Sequence, residues 1–136
     1  MRTKLLAIVA FVILSTAAFA ADNTEAAKKS ATAWLALVDG AKYGESWDEA
    51  ASMFKSAVTR TTWEGAMRGV REPLGAMKSR TLKSATYATS LPGAPDGEYV
   101  VIQFDTVFAN KAQAVETITP MLDKDGQWRV SGYYIK

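Results

Sequence analysis

The sequence predicts an α+β domain in which N-terminal helices pack on a curved antiparallel sheet. Three observations lead there: apolar residues recur at helical spacing up to Lys78, they alternate with a period of two beyond it, and an Asp125-Gly126 turn signature joins the last two alternating runs. A sheet of this kind needs cover for one face, and the preceding helices supply it.

The first twenty residues stand apart from that pattern. Met1-Arg2-Thr3-Lys4 is basic, Leu5 to Ala20 is apolar or small, and Ala18-Phe19-Ala20 is a small-x-small cleavage site, the layout of a secretory signal peptide. About 16 apolar residues fall short of the roughly 20 needed for a bilayer span. The reading is therefore a removed signal over 1–20, a single domain over 21–136 outside the cytoplasm, and no stable membrane span; an uncleaved anchor is the alternative. Arg2 and Lys4 leave with the signal, so the 16 basic residues fall to the same number as the 14 acidic ones. Balanced charge argues against nucleic acid or an anionic membrane as partner, since both are held by surplus Lys and Arg.

The chain has no Cys and no His. Without disulfides an exported domain depends on its hydrophobic core, and without thiol or imidazole it lacks the usual zinc, haem and iron-sulfur ligands, Cys nucleophiles and His-based triads. No cofactor is expected. Carboxylates, Lys, Tyr, Ser and Thr remain for chemistry.

Taken in order, Asn23 to Gly44 reads as a helix with Ala27, Ala31, Trp34, Leu35 and Val38 on its inner face and its end marked by Gly40 and Gly44. Ser46-Trp47-Asp48-Glu49 reads as a capping box opening a second helix to about Lys55, and Thr61 with Glu64 as another, opening a third helix with the stripe Trp63, Met67, Val70 and Leu74. It should bend or stop near Pro73 and Gly75. Strands follow at Thr81–Thr89 and Glu98–Phe108, the latter with Val100, Ile102, Phe104, Thr106 and Phe108 on one face, and a turn-rich stretch from Leu91 to Gly97 joins them.

Ala114–Asp123 and Gln127–Ile135 form the closing hairpin in one of two registers. A two-residue turn pairs Asp123 with Trp128 and Thr117 with Tyr134, mixing polar and apolar groups on each face. A three-residue turn with Gly126 left-handed pairs Leu122 with Trp128, Pro120 with Val130, Ile118 with Gly132 and Glu116 with Tyr134, giving one coherent apolar face. The second is preferred, and it places Glu116 among apolar residues.

Several short runs together resemble a known family: Ala33-Trp34-Leu35-Ala36-Leu37-Val38-Asp39, Tyr43-Gly44-Glu45-Ser46-Trp47, Arg71-Glu72-Pro73-Leu74-Gly75, Leu91-Pro92-Gly93, Asp96-Gly97-Glu98-Tyr99 and Asp125-Gly126-Gln127-Trp128-Arg129-Val130 with Gly132-Tyr133. In order and spacing they are similar to the exported bacterial domains of the domain of unknown function 4019 family. The resemblance implies an NTF2-like or cystatin-like roll, periplasmic or secreted, and brings no established catalytic residues; that fold hosts enzymes and binding modules alike.

A sheet bent around helices leaves a hollow, the default ligand site. Its candidate lining is Trp34, Trp63, Glu116, Trp128 and Tyr134, although core packing is the simpler role for every tryptophan, Trp47 included. Glu116 as base with Tyr134 as neutral donor would suit an isomerase or dehydratase-like reaction; against this stands a rim glutamate paired with Lys or Arg. Arg71 beside Glu72 is either an anion site or a structural group at a helix end. Asp96-Gly97 and Asp125-Gly126 lack the ligand pattern of calcium loops and read as turns. The first expectation is thus a non-catalytic domain binding a small molecule or an envelope protein, with strand edges offering a homodimer.

Overall fold

The computed structural model describes residues 15–136, with side chains from Asn23 onward. The leader read over 1–20 lies outside the described residues except where α1 (Ser15–Asp39) begins. The remaining elements are α2 (Tyr43–Asp48), α3 (Ser52–Ala57), α4 (Arg60–Leu74), β1 (Met77–Ala88), β2 (Tyr99–Phe108), β3 (Lys111–Leu122) and β4 (Trp128–Ile135). The four strands form an antiparallel meander in the order β1-β2-β3-β4. Helices followed by a curved antiparallel sheet make this an α+β fold, as expected.

α1 lies across the sheet. Ala27, Ala31, Trp34, Leu35 and Val38 pack with Val100, Ile102, Phe104, Ile118 and Val130, and α4 adds Trp63 and Met67. All five residues expected on the inner face of β2 are buried. Register shifts at Met77/Ser79, Leu82/Ser84, Thr106/Phe108 and Thr119/Pro120 bend the sheet around α1.

Helix boundaries depart from the sequence reading for identifiable reasons. α1 stops at Asp39 because the chain turns there: Lys42 N–H donates to Leu37 O at 2.8 Å and Ala41 N–H to Val38 O at 3.0 Å. This is a Schellman closure whose left-handed position, φ 60°, falls on Ala41 and not on a glycine. Ala41→Gly should therefore raise stability by about 0.5–1 kcal/mol, read from urea denaturation; a loss would show that the turn is unstrained.

Ser46 is no N-cap. It sits inside α2, its hydroxyl donating to Tyr43 O at 2.6 Å and accepting from Trp63 Nε1 at 2.9 Å. The expected single second helix divides because Ala51 N–H is drawn to Val130 O on β4, at 2.8 Å. α3 lacks a cap of its own, and the Asp123 carboxylate of the hairpin accepts from Ser52 N–H at 3.0 Å in its place. α4 is capped by Thr59, two residues before the expected Thr61, through Thr62 N–H. The helix ends as predicted after Pro73 and Leu74, with Gly75 at φ 73°. Val70 of the expected stripe is exposed, and Arg71 takes the buried position. β1 begins at Met77, earlier than Thr81, so it includes Arg80.

The hairpin uses both candidate registers. Leu122–Trp128 and Pro120–Val130 pair as preferred, around a three-residue turn with Gly126 at φ 82°. A bulge between Thr119 and Pro120 then shifts the ladder by one residue, giving Thr119–Gly132, Ile118–Tyr133, Thr117–Tyr134 and Glu116–Ile135. The preferred register is corrected beyond the bulge, and a slip of one residue reverses the faces. Tyr133 points inward; Tyr134 is exposed.

Candidate functional site

Two features of the folded chain hold chemistry. The first is a buried charge network joining the C-terminal end of α1 to α4 and the sheet. Glu116, wholly buried, accepts from Arg80 Nε at 2.6 Å, Arg80 Nη2 at 3.1 Å, Thr106 Oγ1 at 2.5 Å and the Tyr133 hydroxyl. Arg80 also donates to Asp39 through Nη1 at 2.8 Å and Nη2 at 3.0 Å, and Arg71 Nη2 donates to Asp39 at 2.8 Å. Two arginines thus balance two carboxylates. Such closure is what makes burying charge tolerable.

Arg71 is only 5 % exposed, and its Nε and Nη1 have no hydrogen-bond partner. Its guanidinium lies over the Phe108 ring, 4.9 Å from the centroid, where ring electrons partly replace those bonds. Of the two roles weighed for Arg71, the geometry shows the structural one: it pairs with a carboxylate at a helix end.

The network shifts the proton affinities of Asp39 and Tyr133. Burial works to raise the Asp39 pKa, but the hydrogen bonds from Arg80 and Arg71, with their charges, outweigh it and hold the carboxyl below its usual range. Burial raises the Tyr133 phenol, and the charge and hydrogen bond of Glu116 raise it further. A pKa raised on folding stabilises the native state below the unfolded value and loses that contribution as pH climbs toward the folded one. Above about pH 10 the Tyr133 contribution should fall by up to about 1.4 kcal/mol per pH unit. In Tyr133→Phe that part of the alkaline loss should vanish, seen as a shallower stability slope between pH 10 and 11; an unchanged slope would refute the assignment.

The second feature is a groove of about 520 Å³ between α1, α2 and the β3–β4 hairpin end. Ser30, Trp34, Leu37 and Trp128 contribute its α1 and β4 sides, and Glu45 and Glu49 its α2 side. Trp34 shows only an edge, its indole N–H donating to Ser46 O at 2.8 Å; Trp128 is half-buried. Asp48 and Arg129 also line the groove, but Arg60 holds the first and Asp123 and Asp125 hold the second. The Arg129 hydrogen bond lowers the Asp125 carboxyl to about 2.

Of the residues proposed for one hollow, the structure brings Trp34 and Trp128 to this groove. Trp63 is buried between Trp34 and Phe54, with ring centroids at 6.0 and 4.8 Å. Glu116 lies in the charge network, and Tyr134, paired with Thr117, is 54 % exposed. Sequence reasoning passed over Asp39, Arg80 and Tyr133. Among the described residues no group of three or more His, Cys, Asp and Glu is placed to hold a metal, and no helix is long and apolar enough to cross a membrane.

These features define a small α+β domain whose buried charges are paired with one another and which carries a groove lined by Trp34 and Trp128 together with acidic side chains. The chain belongs to the family described as protein of unknown function (DUF4019), whose model matches residues 30–133. That span includes the whole charge network and ends on Tyr133. No curated protein matches the chain.

Proposed function

We propose that the protein is an exported, non-catalytic binding domain of the bacterial cell envelope that takes a small molecule or an envelope protein at the Trp34–Trp128 groove. One observation carries the non-catalytic reading: Glu116, the base that the sequence pointed to, has both oxygens engaged by Arg80, Thr106 and Tyr133. A general base needs a lone pair within reach of substrate. The phenol proton is likewise directed at Glu116, so the donor an isomerase would need is committed. The basic-apolar-small leader over residues 1–20 supports export, and helices followed by a curved antiparallel sheet support the NTF2-like reading.

Export is tested by N-terminal sequencing of the protein from cell fractions. A start near Ala21 in the periplasmic or secreted fraction is expected; intact Met1 in the membrane fraction would overturn it. Binding is tested by screening periplasmic metabolites and extract proteins for a rise in melting temperature, with Trp128→Ala in parallel. A ligand at a hundred times its Kd adds about 2.7 kcal/mol to native stability. The rise should be lost in Trp128→Ala, and a rise of equal size in that variant would rule the groove out.

A further inference from the structure

We infer that the groove selects a small organic cation, one with an apolar body and an ammonium or guanidinium head; this rests on the groove being the binding site. The groove carries uncommitted charge. Glu45 and Glu49 line the groove, both are exposed, and among the described residues neither carboxylate is engaged by a hydrogen bond or ion pair. Glu49 N–H donates to Glu45 O at 3.0 Å, so the two stand one helical turn apart on the same side of α2.

That placement is unfavourable for stability, because like charges four residues apart on a helix repel. The neighbouring charges of the groove do not relieve it. Asp48 is occupied by Arg60, and the Arg129 guanidinium is held by Asp125 at 2.8 Å through each of two nitrogens.

A cation in the groove would relieve the repulsion and meet aromatic surface at the same time. Trp128 is partly exposed and lines the same groove, and among aromatic side chains an indole attracts cations most strongly. The volume of about 520 Å³ is that of a small-molecule site. An anion would face two free carboxylates, and a neutral guest would leave them unmatched.

The test titrates the protein as recovered from cells with benzylamine, benzyl alcohol and benzoate at pH 7, which share a body and differ in charge. The readout is the indole N–H resonance of Trp128, assigned by its loss in Trp128→Phe. Benzylamine should move it saturably, benzyl alcohol should bind about tenfold more weakly, and benzoate should leave it unmoved. Glu45→Gln combined with Glu49→Gln should weaken benzylamine about five- to tenfold while leaving the melting temperature unchanged or higher, since two exposed ion pairs and a cation–π contact are modest individually. Equal affinity for amine and alcohol, or full affinity in the double variant, would overturn the cation preference alone. A resonance moved by none of the three would overturn the groove as a binding site as well.

Discussion

Replacing Arg80 with Met should cost about 3–5 kcal/mol of folding free energy, the scale of stranding a buried charge. Arg80 reaches both oxygens of Glu116 and both of Asp39, and Glu116 has no exposure to recover hydration. Thr106 and Tyr133 would remain as donors to Glu116, but neither supplies positive charge. Urea denaturation at pH 7 measures the loss, and a cost under about 1 kcal/mol would mean the network is not holding the fold. Arg80→Met with Glu116→Leu should recover part of it, because Asp39 keeps Arg71 and no stranded carboxylate remains. The acid side follows from Asp39. A carboxyl depressed on folding contributes stability above its unfolded pKa of about 3.9 and loses it as pH falls through the folded value. Without Arg80 that depression is reduced, so the stability gap between the variant and the parent should narrow as pH falls below about 4.

Trp34→Ala should cost about the same, 3–5 kcal/mol, and for a domain of this size that approaches the whole of native stability. Trp34 is 3 % exposed, touches Trp63 and Tyr133 with centroids at 6.0 and 5.3 Å, and donates to Ser46 O. It therefore ties α1 to α2, to α4 and to the sheet together. Loss of near-UV circular dichroism and of a cooperative transition at 25 °C is the expected result. Trp34→Phe keeps most of the area and sacrifices the Ser46 bond, so it should fold with a loss of about 1–2 kcal/mol. A well-folded alanine variant would show that the centre of this core repacks freely.

Much of this core was legible because apolar periodicity reports burial directly. The charge network left a trace of the same kind that is easily missed. Asp39 continues the four-residue spacing of Ala27, Ala31 and Leu35; Arg71 continues Trp63 and Met67; Glu116 occupies an alternate position between Ala114 and Ile118. Each looks like an interruption when its element is read alone, yet charges on three buried stripes require one another. Two facts were not local. The bulge between Thr119 and Pro120 lies beside the stretch of β4 that bonds to α1 and to Ala51, so no turn rule foretold that Tyr133 would replace Tyr134 at the inner face. The cap of α3 comes from Asp123, far along the chain, so scanning Ser46-Trp47-Asp48-Glu49 found a pattern with another use. The groove was legible only in part, since Trp34 and Trp128 were singled out while the acidic pair on α2 was not.

The backbone contact between Ala51 and Val130 bears on self-association. With Ala51 N–H on Val130 O and the Ser30 hydroxyl on Trp128 O, the first half of the outer flank of β4 is occupied by the protein's own chain. The other outermost strand, β1, is twelve residues long and carries Lys78 and Lys83. Endless stacking of sheets needs two long available sides on every copy. Among the described residues no strand pairs with the outer side of β1, so two molecules that joined along it would close on each other as a finite pair, and a growing fibre would lack the second seam it requires.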